Sequence, residues 1–166
     1  LGPQARVYAY EHVLPEKPLL IKLGSEQTSY IESLLFSLII KNNVIQKNMK
    51  RFMGIDKESA EKSKNDIIKL FEEVGQELKG KKYLVGEQFT AADLTFASLS
   101  SPVLFVDEFS SFQPPLKDFP KELLSTSDLL KQTNAGQHVV RCYREYRFAK
   151  LNETGKIVKN DSLGRM

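Results

Sequence analysis

Apolar residues recur at steps of three and four through most of this chain, a spacing that predicts helices. Arg6, Val7, Tyr10, Val13 and Leu14 outline a short first helix over about 4–14, which Pro15 and Pro18 end. The chain then crosses 16–24, and Ser25 offers an N-cap for a long second helix. There Ile31, Leu34, Leu35, Leu38, Ile45, Met49 and Phe52 share one face, expected to be core. Phe36, Ile40 and Val44 form a second stripe on the other side. A helix that is apolar on two faces needs a second partner: another subunit, a further domain, or another helix of the chain.

Gly54 breaks this pattern, and Asp56 can cap a third helix over about 57–79 with Ala60, Ile67, Phe71, Val74 and Leu78 as its buried stripe. Gly80 supplies its stop. The clearest start signal in the chain is Thr90 followed by Asp93, a capping box in which each side chain satisfies a backbone N–H of the other. Phe89 and Leu94 are placed to form a hydrophobic staple across it. Leu94, Phe96, Ala97, Leu99 and Phe105 make the helix apolar nearly all round, which predicts a buried helix with the others packed about it. Pro102 should bend or end it. Phe109, Phe112 and Phe119 argue that the connection over 106–120 is ordered on the core. A short helix is expected over 121–131. Asn134, with Gln137 as box partner, should cap a last helix whose inner face is Val139, Val140, Tyr143 and Tyr146. The polar, aperiodic stretch after Lys150 predicts a flexible tail over 151–166, leaving one all-α domain over 1–150.

Composition narrows the chemistry. No apolar run approaches the roughly 20 residues that a membrane span requires. Cys142 is the only cysteine, which excludes an internal disulfide and fits a reducing compartment. The net charge of +3 is small, and Arg141, Arg144, Arg147 and Lys150 drift around a helix interrupted by Glu145, so a solvated face is expected rather than a nucleic-acid groove. His12 and His138 lie in different helices without metal-ligand spacing, so no metal is expected. Cys142, within a helix, reads as a small buried hydrophobe, and Asp93 as a cap. Neither histidine nor Cys142 has an evident partner in the sequence. The opening LGPQARVYAY has no initiator Met and no signal-peptide pattern, which suggests a start within a longer protein.

The stretch KKYLV followed by GEQFTAADLTFASL, over 81–99, resembles the capping-box helix of the glutathione S-transferase C-terminal domain. LGPQARVYAYEHVLP at the start and NAGQHVVRCYREYR near the end resemble that domain's entry and its last long helix. The resemblance implies an all-α bundle of about five to six helices. It also implies a protein in which glutathione, as co-substrate, is held mainly by a thioredoxin-fold domain ahead of Leu1 that carries the catalytic Ser, Tyr or Cys. This half would then wall the pocket for a hydrophobic electrophile and contribute to a homodimer, in cytoplasmic detoxification by conjugation or reduction. Ser33, Phe36 and Ile40 are the expected pocket or interface residues, with Tyr8 and Tyr10 behind them and Thr90 and Asp93 structural. No catalytic residue is expected in this chain, nor activity from it alone, nor a nucleic acid, membrane or metal partner. The alternative is a non-catalytic interaction module of the kind found in translation factors and aminoacyl-tRNA synthetase complexes.

Overall fold

In the computed structural model the described residues are 1–25, 32, 37–38, 40–41, 43–151 and 157–158. Among them are seven α-helices: α1 Gly2–Val13, α2 Lys17–Ser25, α3 Asn43–Phe52, α4 Lys57–Glu77, α5 Ala91–Ser100, α6 Lys121–Lys131 and α7 Asn134–Tyr146. The architecture is all-α. Two 3₁₀ segments, Asp107–Phe112 and Leu116–Asp118, order the connection from α5 to α6. Beyond α7, Lys150–Leu151 pairs antiparallel with Ile157–Val158, and the rest of 152–166 lies outside the described residues.

Helix boundaries follow local chemistry. Pro3 stands in the first turn of α1, where its missing N–H costs no hydrogen bond. Asp56 caps α4, accepting from the Ser59 N–H at 2.7 Å, while the Ser59 hydroxyl accepts from the Asp56 N–H at 2.9 Å. The stretch expected to cross from the first helix to the second is itself helical as α2, because Pro18 occupies its first turn instead of ending α1. α5 ends at Ser100 rather than kinking through Pro102. The cap of α7 is Thr133, not Asn134. Its hydroxyl donates to the Leu130 carbonyl at 2.7 Å and accepts from the Gly136 N–H at 3.0 Å, so one side chain closes α6 and opens α7.

α7 lies against α4, α5 and α6, while α1 runs along α4 and also touches α2, α5 and α6. Tyr8, Ile67, Phe71, Leu123, Leu130 and Val139 fill the space between them. Phe71 and Phe96 meet with ring centroids 5.3 Å apart. α5 is therefore not the enclosed central helix its apolar composition suggests. It buries Phe96 and Ala97 but leaves Leu94 55% and Leu99 42% exposed. Phe89 stacks on Tyr146 at 4.0 Å, so the residue before the cap fixes α5 against α7.

The stripes expected on a long second helix come out differently. Ile31, Ser33, Leu34, Leu35 and Phe36 lie outside the described residues, as do the side chains of Val44 and Ile45. Of the rest, Leu38, Met49 and Phe52, expected in the core, are exposed, Phe52 at 92%. Ile40, expected on the outer stripe, is only 5% exposed, so the chain itself covers it. Periodicity groups residues by face without saying which face is covered.

The short turn between α6 and α7 requires glycine at 136. A Cβ there would stand 2.0 Å from the Leu130 carbonyl oxygen and 2.7 Å from its carbon. Backbone cannot yield as a flexible side chain can. Gly136→Ala is expected to destabilise the fold by about 3 kcal/mol, at the upper end of overpacking costs. Gly75→Ala, whose added carbon would meet its nearest neighbour at 3.5 Å, should stay close to wild type. Denaturant midpoints of the two variants check this, and equal midpoints would mean that the helices do not meet as described.

Candidate functional site

One buried carboxylate ties the start of α5 to α7. Asp93 is 0% exposed, and its two oxygens accept four hydrogen bonds. Oδ1 accepts from the Leu84 N–H at 2.9 Å and from His138 Nε2 at 3.0 Å. Oδ2 accepts from the Thr90 N–H at 2.9 Å and from the Thr90 hydroxyl at 3.0 Å. The Thr90 oxygen in turn accepts from the Ala92 N–H at 3.3 Å and completes the box with Asp93. Burial pushes the Asp93 pKa up, but the bonds from Leu84 and Thr90 and the nearby His138 outweigh it and hold it below the usual carboxylate range. It is an ionised group in the core.

His138, Arg141 and Cys142 lie one helical turn apart on α7, at spacings of three and four. The Arg141 guanidinium, which can only donate, stands 2.8 Å from His138 Nδ1. Nδ1 is therefore the acceptor, and the proton sits on Nε2, where it is donated to Asp93. Burial, and then the Arg141 charge, press the His138 pKa below its ordinary value against the opposing pull of Asp93. The imidazole is neutral.

Cys142 Sγ lies 3.5 Å from the same Nε2. A cysteine and an aspartate on one histidine have the composition of a nucleophilic triad but not its polarity. A triad needs nucleophile and acid on opposite ring nitrogens, so that the imidazole can take the nucleophile's proton. Here both share Nε2, which already carries a proton, while Nδ1 faces a cation. Burial and Asp93 also push the Cys142 thiol up to about 12. Cys142 is thus an inert, packed thiol, although it and His138 do have the partners that the sequence does not reveal.

Beside Cys142, between α5 and α7, opens a cleft of about 180 Å³ walled by Phe89, Leu94, Ala97, Tyr143, Tyr146 and Arg147. Tyr146 is fixed by its stacking on Phe89 and by a 2.7 Å hydrogen bond to the Tyr83 hydroxyl. Burial and that bond push its phenol pKa up, so it stays protonated and supplies no base. The cleft is mostly apolar and aromatic, and its wall residue Leu94 is more than half exposed.

The other expected site residues scatter. Tyr8 is buried; its hydroxyl bonds Thr126 Oγ1 at 2.7 Å, and its ring meets His12 edge-on at 4.7 Å. Burial raises its pKa more than Thr126 lowers it. Tyr10, two positions on, faces outward. Ile40 is covered, and Ser33 and Phe36 lie outside the described residues. His12 joins α1 to α6 through Glu122 at 3.2 Å, with Nδ1 2.9 Å from the Tyr8 carbonyl. Arg141 donates to the Lys82 carbonyl, and Arg147 lies 5.1 Å over the Phe109 ring, so the cationic strip on α7 is engaged with the fold instead of merely solvated. No group of three or more His, Cys, Asp or Glu side chains able to hold a metal occurs among the described residues.

The family model for the glutathione S-transferase C-terminal domain matches residues 30–123, more than half of the chain. The chain belongs to that family, and its all-helical architecture agrees. Family members carry a thioredoxin-like domain ahead of this helical one. No curated protein and no solved structure matches the chain. No described helix is long and apolar enough to cross a membrane.

Acid should weaken this centre in two stages. A histidine whose folded pKa is depressed contributes stability that is complete above its unfolded value of 6.5 and lost as pH falls below it. A depressed Asp93 contributes stability present above 3.8 and lost as pH falls further. Denaturant midpoints should therefore drop below pH 6.5 and again below about pH 4. His138→Gln should reduce the first drop and spare the second; an unchanged first drop would place its origin elsewhere. Thr90→Ala is expected to cost about 1–2 kcal/mol as a lost cap. Asp93→Ala should cost about 3 kcal/mol, because four donors lose their acceptor at once.

Proposed function

We propose that this chain is the helical half of a glutathione transferase-like protein, supplying an apolar wall for an electrophilic substrate whose partner, glutathione, is held by the thioredoxin-like half. The observation that carries the proposal is the apolar cleft between α5 and α7, open beside Leu94, in a chain of this family. An apolar wall holds a hydrophobic electrophile by removing its surface from water and narrows its orientations. The thioredoxin-like half would cover the exposed Leu94 on α5. Dimer contacts belong to the same reading, with Leu38 and Phe52 as exposed apolar surface available for them.

The division of labour follows from the groups present. Thiol attack is accelerated by a donor or positive dipole that favours the thiolate, together with polar contacts that orient the tripeptide. Asp93 has its acceptor positions filled, His138 is neutral with Nε2 committed, and Cys142 is held protonated. None of the three can generate or stabilise a glutathione thiolate, so that task falls to the thioredoxin-like half.

The purified chain alone is therefore expected to conjugate glutathione to a chromogenic electrophile no faster than the uncatalysed rate. Mixed with or joined to a thioredoxin-like half, it should turn the electrophile over. Leu94→Glu, at an exposed position, should abolish association of the halves in sedimentation while leaving this chain folded. Turnover by the chain alone, removed by a substitution within it, would overturn the proposal. Halves that neither associate nor react would favour the non-catalytic interaction module.

A further inference from the structure

Arg141 also lines a second cavity, of about 330 Å³, where the end of α4, the turn after it and the first turns of α7 meet. Lys79 and Lys81 line it as well, with the side chains of Asn134 and Gln137. No carboxylate is among its lining residues. Asp93 lies behind the lining residue His138, 3.0 Å from its Nε2, while Glu77 stands 3.6 Å from Lys81, in a pair with both side chains more than half exposed. Such a pair is worth little and yields readily to a better ligand. Lys82, next in sequence, is instead directed to Glu145 at 3.5 Å and over the Tyr83 ring at 5.2 Å.

We propose that this cavity binds a small phosphorylated molecule through its dianionic phosphate, with Lys79, Lys81 and Arg141 as the cationic contacts. The cations come from separate segments and converge on a single recess, which a tetrahedral group with several acceptor oxygens can bridge and a single carboxylate cannot. Three positive charges, one of them partly offset by Glu77, balance a dianion. Among the described residues, Arg141 is bonded through Nη2 alone, to the Lys82 carbonyl and to His138 Nδ1. The hydrogens of Nε and Nη1 remain for a ligand, so binding does not require the buried contact with His138 to break. The recess is also larger than a bare ion needs, leaving room for the organic part of a phosphate monoester or for a second phosphate.

Calorimetry on the full chain at fixed ionic strength tests this, with pyrophosphate and glycerol phosphate as probes and sodium chloride as the control. Saturable one-site binding of at least one probe is expected, and the preference between them distinguishes a polyphosphate from a monoester. Lys79→Gln with Lys81→Gln, at exposed positions that leave the fold intact, should weaken binding at least tenfold. Lys82→Gln should leave it unchanged. The imidazole resonances of His138 should move on saturation while those of His12 stay put, because Arg141 touches only the former. Heats no larger than those of chloride, undiminished binding by the double variant, or preferential binding of a single-stranded oligonucleotide with a steep salt dependence would each overturn the proposal.

Discussion

The fold depends on keeping one carboxylate ionised where no water reaches it. An ionised group in the core is tolerable only if its acceptor positions are filled, and Asp93 meets that condition with donors from three stretches of chain. Leu84 belongs to the segment before α5, Thr90 to its cap and His138 to α7. None of these can move without leaving a buried charge short of a partner. The entry of α5, the path of 84–90 and the docking of α7 are therefore one unit, although a capping box in isolation is a local device worth about 1 kcal/mol. The cleft inherits its shape from that unit, since Phe89 and Tyr146 stack across the joint that Asp93 holds.

What local chemistry decides is legible in the sequence. The bounds of α4 and α6 follow from period and punctuation, and the box at Thr90 and Asp93 follows from two residue types at one spacing. What depends on a choice between local options is less so. Pro18 reads as a stop, yet the first turn of a helix accepts proline equally well. Thr133 and Asn134 are adjacent and both suited to cap α7; the Leu130 carbonyl, brought close by the short turn, favours the threonine. Leu38 and Ile40 exchange places because a helix with two apolar stripes leaves open which one the fold will cover.

The site was legible in its parts and not in its assembly. His138, Arg141 and Cys142 stand at spacings that share a helix face, so their proximity can be read from residue numbers alone. Their meeting with Asp93 is tertiary, and no local signal announces it. Nor does the sequence give the side from which each group approaches the imidazole. That direction decides the chemistry: with Asp93 and Cys142 both at Nε2 and Arg141 at Nδ1, a set of residue types associated with nucleophilic attack becomes a structural clasp.

Arg141 belongs to both the clasp and the cationic recess, and this shared residue couples them. Its charge is one of the forces that keep His138 neutral. An anion resting on its Nε and Nη1 hydrogens offsets part of that charge without displacing Nη2, and the imidazole then accepts a proton at higher pH than before. Linkage makes the effect mutual, so protonating His138 strengthens the hold on an anion by the same factor. The coupling passes through one guanidinium in contact with both groups: a proton on Nδ1 ends its role as acceptor and releases an Nη2 hydrogen of Arg141. A domain whose most reactive side chains are committed to holding it together can thus still sense a ligand, through the one member of the clasp that reaches the surface.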